Sequence, residues 1–383
     1  MKNDKSPKIC LNMIVKNESK IIKRCLESVL PFIDTWCIVD TGSTDGTQDI
    51  IKEFLKDIPG ILHEKPWINF GHNRNEALEL ARSWGDFILL TDADMVLVDK
   101  GFDKNSLTKD IDVYDIMQDN LGTCYNNMRI LNTRKTWKCI GVTHEYYDTV
   151  EGIESRDFIN TLFFDDVSDG GSKSDKFPRD IALLEQGLID EPDNVRYMFY
   201  LAQSYRDSGN PDKAIEWYTK RVEAGGWEEE QWFAQYMVGW CMLNKGMTFD
   251  EVYPTMIKAW MMRPWRSEPI AALADHAKAK GMWQHAYQLF KIVATTPWPK
   301  NDVLFITKLI YGPYAADEFA VSAYYAGFPD EAEKAGMAVL NDPELDPNQI
   351  PRIKKNIWYA RKAMGVYSED SLNKYIEEKR KRI

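Results

Sequence analysis

The chain reads as an α/β domain with a mostly parallel sheet, followed by an all-α domain of helical repeats, and three observations predict this. Short β-rich runs alternate with helical patterns through the first half. The acidic pair Asp92 and Asp94 follows the apolar run Phe87 to Leu90, so two carboxylates stand at the expected carboxyl end of a buried strand, the edge at which α/β sheets bind ligands. From about Lys176 the texture changes to helix after helix, with Tyr, Trp, Ala and Met at three-and-four spacing. A length of 383 residues exceeds a comfortable single core, so two domains are expected, 1–172 and 173–383.

Ile9 to Val15 is apolar and strand-sized. Ser19 to Leu30 places Ile21, Ile22, Cys25, Leu26 and Val29 at helical spacing until Pro31 stops the pattern. Trp36 to Val39 is a second strand. The Gly-rich loop Asp40 to Thr47 comes next, with Thr47 positioned to cap a helix carrying Ile50, Ile51, Phe54 and Leu55. Ile61-Leu62 suggests a short third strand. Asn73 to Trp84 is helical, and Asp86 to Leu90 is the strand that delivers the acidic pair. From Val113 to Phe164 the pattern is β-rich without long helices.

Composition narrows the function classes. An apolar fraction of 44% with 13 Trp and 18 Tyr suffices for substantial cores, so disorder is expected only at the ends. A net charge of −11 argues against nucleic acid as a partner, because phosphate binding needs a basic face. The longest apolar stretches are too short to span a bilayer, so no transmembrane segment is expected. Met1 to Lys8 lacks the apolar stretch of a secretory signal, and a cytoplasmic protein is expected. The six cysteines form no C-x-x-C pair, which signals neither a zinc site nor a disulfide framework.

The second half contains internal similarity. Leu201-Ala202, Tyr205, Gly209, Ala214 and Tyr218 recur at the same offsets as Leu273-Ala274, Ala277, Gly281, Ala286 and Phe290. Phe319-Ala320, Ala323, Gly327 and Ala332 repeat the pattern, and Val238-Gly239, Gly246 and Ala259 form a degenerate copy. The spacing resembles the tetratricopeptide repeat of about 34 residues. Small residues at fixed offsets let paired helices approach closely; the alternative is a non-repetitive bundle. Such repeats offer a surface for a protein partner. Trp227, Trp232, Trp240, Trp260, Trp265 and Trp283 are either repeat core or a surface for stacking on sugars.

Two hard oxygen ligands one residue apart, Asp92 and Asp94, suit Mg²⁺ or Mn²⁺, which in turn would hold a diphosphate. Four motifs in order, Asn12 to Glu18, Asp40 to Thr47, Asn73-Arg74-Asn75 and Asp92-Ala93-Asp94, resemble those of family 2 glycosyltransferases, nucleotide-sugar-dependent enzymes of the GT-A, Rossmann-like fold. The resemblance implies a donor site that includes Asn12, Asn17, Glu18, Gly42, Ser43, Asn73 and Ala93. Asp40 would contact base or ribose and Arg74 the nucleotide, while Asp45 either contributes or stabilises the turn. Asp94 would bind the metal directly, and Asp92 the ribose or a metal-bound water. His144 is a candidate further metal ligand, since enzymes of this fold often add a histidine and neutral imidazole serves Mn²⁺.

The resemblance also implies an inverting, one-sugar transfer from a nucleotide-diphosphate sugar, UDP-sugar favoured over GDP- or dTDP-sugar, to a hydroxyl on a glycan, lipid-linked or protein acceptor. Such a transfer needs a carboxylate to deprotonate the acceptor. Glu145 is the first candidate, and Asp148, Asp165, Asp166 and Asp169 compete. The segment Asp169 to Arg179 is either a plain linker or a closing loop whose Lys173, Lys176 and Arg179 clamp the diphosphate. No Gln-x-x-Arg-Trp sequence is present, so the processive, membrane-embedded branch is not indicated. Two other readings compete. One is a sugar-1-phosphate nucleotidyltransferase, whose Gly-rich loop is absent after the first strand, where Val15-Lys16-Asn17-Glu18 stands. The other is a non-catalytic repeat scaffold with a relic nucleotide-binding domain.

Overall fold

The computed structural model describes residues 6–120, 122–170 and 176–366. The chain divides into two compact units, Met1–Pro192 and Asp193–Ile383. The sequence-based division at 172/173 falls in 171–175, outside the described residues, as does Lys173. The helix just beyond it belongs to the first unit.

In the first unit, β1 (Ile9–Val15), β2 (Thr35–Asp40), β3 (Gly60–Glu64) and β4 (Phe87–Leu90) alternate with α1 (Ile22–Val29), α2 (Thr47–Phe54) and α3 (Phe70–Ala81). They are followed by β5 (Met95–Asp99), β6 (Val113–Asn120), β7 (Thr123–Asn132), β8 (Trp137–Ile140), β9 (Tyr146–Thr149), β10 (Arg156–Asp166) and α4 (Lys176–Asp190). Eight strands form one sheet in the order β3-β2-β1-β4-β7-β6-β10-β5, and β8 pairs with β9 in a separate hairpin. The first four strands are parallel. β7 runs antiparallel to β4 and to β6, which returns β6 and its parallel partner β10 to the direction of β4. The carboxyl ends of β1, β2, β4, β6 and β10 therefore share one edge of the sheet.

Alternation along β1 explains why both faces are covered. Ile9, Leu11, Met13 and Val15 pack with Ile22, Cys25, Leu26 and Val29 of α1 on one face. Cys10 faces the other way, with Leu78 and Ala81 of α3, Ile88 and Trp137. Two expectations needed adjustment. Thr47 is the first residue of α2 and not its cap; Gly46, in the left-handed region at φ 89°, precedes it. α3 begins at Phe70, three residues before the expected start at Asn73, with Asn69 capping it through His72 N.

The second unit is helical throughout: α5 (Val195–Asp207), α6 (Pro211–Glu223), α7 (Glu228–Asn244), α8 (Phe249–Met262), α9 (Glu268–Ala279), α10 (Trp283–Thr295), α11 (Pro313–Tyr325), α12 (Pro329–Leu340) and α13 (Ile350–Ala363). Consecutive helices pack on one another, and α7 also touches α5 and α9, as stacked helix pairs require. The repeated residues occupy equivalent places. Leu201, Ala202, Ala214, Tyr218, Leu273, Ala274, Ala277, Ala286, Phe290, Ala323 and Ala332 are buried. Gly209, Gly281 and Gly327 each sit at positive φ after the first helix of a pair, where a side chain would be strained.

An ionic cluster lies inside this unit. The wholly buried Arg266 bonds Glu268 at 2.8 Å and reaches Asp302 at 3.3 Å, with its guanidinium 3.9 Å above the Trp232 ring. Arg263 donates two hydrogen bonds to Asp302, at 2.7 and 2.9 Å. Of the tryptophans, Trp232 is core and Trp283 stacks on Tyr325 at 4.2 Å, whereas Trp227, Trp240 and Trp265 are exposed. All six cysteines are free thiols; five are buried and Cys124 is exposed. No helix among the described residues is long and apolar enough to cross a membrane.

Candidate active site

The shared carboxyl edge opens into a cleft of about 890 Å³. Lys16, Asn17 and Glu18 line it from beyond β1, Thr41 from beyond β2, and Asp92, Ala93 and Asp94 from beyond β4. The nonlocal strands supply Asn120 and Asp166, with Ser168 and Gly170 following. α3 contributes Phe70 and Arg74, Trp67 stands just before it, and α4 contributes Lys176, Phe177 and Arg179.

The two loops after β1 and β2 fasten each other. Asn17, left-handed at φ 57°, accepts from Thr44 N at 2.8 Å through Oδ1 and donates its own N–H to Ser43 Oγ at 2.8 Å. Glu18 N donates to Thr47 Oγ1 at 2.8 Å. Asp40 is buried, and its Oδ1 accepts from Gly42 N, Ser43 N and Gln48 Nε2 at 2.8–2.9 Å, with Gly42 turned to φ 104° to present its amide. Asp40 Oδ2 is buried without a hydrogen-bond partner among the described residues. Asp45 stabilises the turn: its carboxylate accepts from Thr47 N and Oγ1 and from Ser19 N. Burial opposes its charge, but these bonds prevail and hold the carboxyl well below the usual carboxylate range.

The acidic pair is divided in role. Asp92 takes Arg74 Nη2 at 2.7 Å and has Arg129 Nη1 at 3.7 Å. Burial works against its charge, yet the two guanidinium groups outweigh that cost and keep the carboxyl below its ordinary range. Arg74 also donates through Nε to Glu145 Oε1 at 2.7 Å, so one guanidinium bridges two carboxylates from distant parts of the chain. Arg129 in turn donates to Gln118 Oε1 at 2.6 Å, and Gln118 Nε2 donates to Asp166 Oδ2 at 3.0 Å. Asp94 faces the cleft beside Gly170, where a Cβ would stand 3.0 Å from Asp94 Oδ2.

Several sequence-derived candidates have other work. Asn12 is buried and donates to Cys37 O and Ala77 O, tying β1 to β2 and α3. Asn73 is buried, donates to Pro66 O and accepts from Ile68 N, closing the turn into α3. Asn75 exchanges two hydrogen bonds with the Cys139 backbone, fixing α3 to β8. The motif thus surrounds Arg74 with fasteners that aim it. His144 is left-handed at φ 51° and lies 3.9 Å from Asp180 of α4, outside the cleft lining. It is not gathered with Asp92 and Asp94; among the described residues no three His, Cys, Asp or Glu side chains are grouped to hold a metal. Asp169 is clasped by Arg24 of α1 through two bonds of 2.6 and 2.8 Å. Glu145 lines a second, smaller cavity instead of the main cleft.

A glycine fixes how these parts meet. A Cβ on Gly71, in the first turn of α3, would lie 2.2 Å from Gly141 O, so only glycine lets the helix approach the β8–β9 hairpin this closely. Phe70 N donates to Val142 O at 3.2 Å beside it. Arg129, Gln118, Trp67 and Phe70 escaped sequence reading; a basic residue inside the apolar pattern of β7 was the one available signal.

Residues 10–105 match the family described as Glycosyl transferase family 2. The chain is similar to the SPbeta prophage-derived glycosyltransferase SunS of Bacillus subtilis, 28% identical over 240 residues, covering 57% of this chain and 54% of that protein. It therefore spans about half the length of that relative. A TPR repeat-containing protein of Synechococcus elongatus is 38% identical over 90 residues, 24% of this chain and 21% of its own. Among solved structures, the C-terminal part of a TPR repeat-containing protein from Cytophaga hutchinsonii covers 54% of this chain and 74% of its own at 17% identity, with a TM-score of 0.40. The first unit thus matches the glycosyl transferase family 2 model over residues 10–105, and part of the chain is similar to a tetratricopeptide-repeat protein.

Proposed function

We propose that the chain is a glycosyltransferase that moves a single sugar from a nucleotide-diphosphate sugar, UDP-sugar favoured, to an acceptor hydroxyl. The observation that carries this reading is the cleft at the carboxyl edge, where Asp94 stands among cleft-lining Arg74, Lys176 and Arg179. A diphosphate needs that mixture of cations and a carboxylate able to hold a divalent ion.

The donor set fits a hard cation held by few protein oxygens, the remainder coming from phosphate and water, as Mg²⁺ prefers. Asp94 would hold Mn²⁺ or Mg²⁺, since Asp92 is engaged by two arginines. When bound, the ion neutralises the diphosphate leaving group. Lys176 and Arg179 orient the phosphates, and Trp67, Phe70 and Phe177 exclude water. Inversion needs a base on the face of the sugar opposite the leaving group. Of the carboxylates considered, Asp166 lines the cleft and is held by Gln118, Asn120 and Ser168, so it is the preferred base. The helical half would present the acceptor or a protein partner.

The test is release of UDP from UDP-sugars with Mn²⁺ and no acceptor. Turnover in the wild type, lost on chelation and in Asp94→Asn, is the expected result. Absence of both turnover and nucleotide binding across UDP-, GDP- and dTDP-sugars would overturn the reading.

A further inference from the structure

A second cavity of about 200 Å³ adjoins the main cleft, and the two share Arg74 and Asp92 in their walls. At ~30 Å³ per water it has room for about seven, well under a drug-sized pocket and close to one sugar ring. Its walls are polar. Asn126, Glu145 and Tyr146 approach from β7 and the β8–β9 hairpin, and Met128 is the one aliphatic side chain.

Charge selects the occupant. Each guanidinium in the wall already meets a carboxylate: Arg74 meets Asp92 and Glu145, Arg129 meets Asp92, and Arg156 holds Asp115 through bonds of 2.6 and 2.8 Å. The wall holds three guanidinium groups and two carboxylates, and Asp115 behind Arg156 supplies a third, so no net positive charge is left to favour phosphate. A lining of carboxylate, amide and guanidinium groups offers acceptors and donors in alternation, which suits hydroxyls that both donate and accept. Tyr146, 42% exposed, supplies a ring face for the apolar side of a sugar.

We infer that this smaller cavity, opening on the reaction centre across the Arg74–Asp92 ion pair, receives the terminal sugar residue of a glycan acceptor. The inference rests on the proposed transferase function and names its acceptor class. Glu145 and Asn126 bind the ring hydroxyls, and Tyr146 stacks on the ring.

The experiment is saturation-transfer NMR on the full chain with the methyl glycosides of glucose, galactose, mannose and N-acetylglucosamine, each alone and then with inorganic phosphate as competitor. UDP binding is read separately by thermal shift. At least one glycoside is expected to bind the wild type, to weaken about tenfold in Tyr146→Ala, to recover in Tyr146→Phe, and to resist displacement by phosphate. Binding of no glycoside, equal binding by Tyr146→Ala and Asn126→Ala, or displacement by phosphate overturns the inference, even with UDP bound. Glycoside binding that depends on Tyr146 in a protein that neither binds nor hydrolyses any nucleotide-sugar overturns the proposed function and leaves the cavity a sugar site.

Discussion

Both units gather arginines against carboxylates, and the two clusters behave differently. In the helical unit Arg266, Glu268, Asp302 and Arg263 are closed under Trp232, and every one of them is paired. At the sheet edge Arg74, Asp92, Arg129 and Glu145 are paired as well, but all four line the smaller cavity, and Arg74 and Asp92 also line the main cleft that Asp94 faces. A charge cluster marks a site by what it leaves facing a cavity, not by its density. The buried cluster faces no described cavity; the open one lines two.

Substitutions on the two sides should separate these roles. Arg266→Met leaves Glu268 and Asp302 buried with fewer partners and should lower the stability of the helical unit by about 3–5 kcal/mol, read by urea unfolding. A loss below about 1 kcal/mol would show that the cluster is not structural. Asp94→Asn should do the reverse: turnover of UDP-sugar falls about 10²–10³-fold while the melting temperature stays close to wild type.

Within the first unit, Asn73→Ala removes three side-chain hydrogen bonds at a buried turn and should cost about 1–3 kcal/mol with UDP affinity preserved. Loss of UDP affinity without loss of stability would return Asn73 to the binding site. Asp45→Ala is the smallest change. Its carboxyl titrates lower folded than unfolded, so its stabilisation is complete above about pH 4 and is lost as pH falls below that. Because the side chain is exposed, solvent screening limits the effect to about 1 kcal/mol or less, visible as a flatter acid limb in thermal melts against pH.

Local pattern carried much of the architecture. Ile9 to Val15 forms a strand as its apolar run predicts, and the glycines at offsets shared by Gly209, Gly281 and Gly327 mark equivalent turns. The placement of carboxylates at strand ends was legible: Asp40 ends β2, and Asp94 lines the cleft beyond β4. The site was illegible where an amide has two equally good uses: Asn12 and Asn73 sit at the right places for ligand contact yet bond backbone carbonyls and amides. Arg129 enters through the pairing of β6 with β7, and Asp166, one of several candidate carboxylates in sequence, is set apart from them by the pairing of β6 with β10; neither register is written in local sequence. The Arg74–Glu145 pair joins residues 71 apart, beyond any periodicity.

The contact of Gly71 with Gly141 O has a consequence for redesign. With no room there for even a methyl group, helix and hairpin are welded in position, and any bulkier residue would move Arg74 and Glu145 apart together. Side chains around the smaller cavity, such as Asn126 and Tyr146, can be exchanged while the weld itself stays as it is.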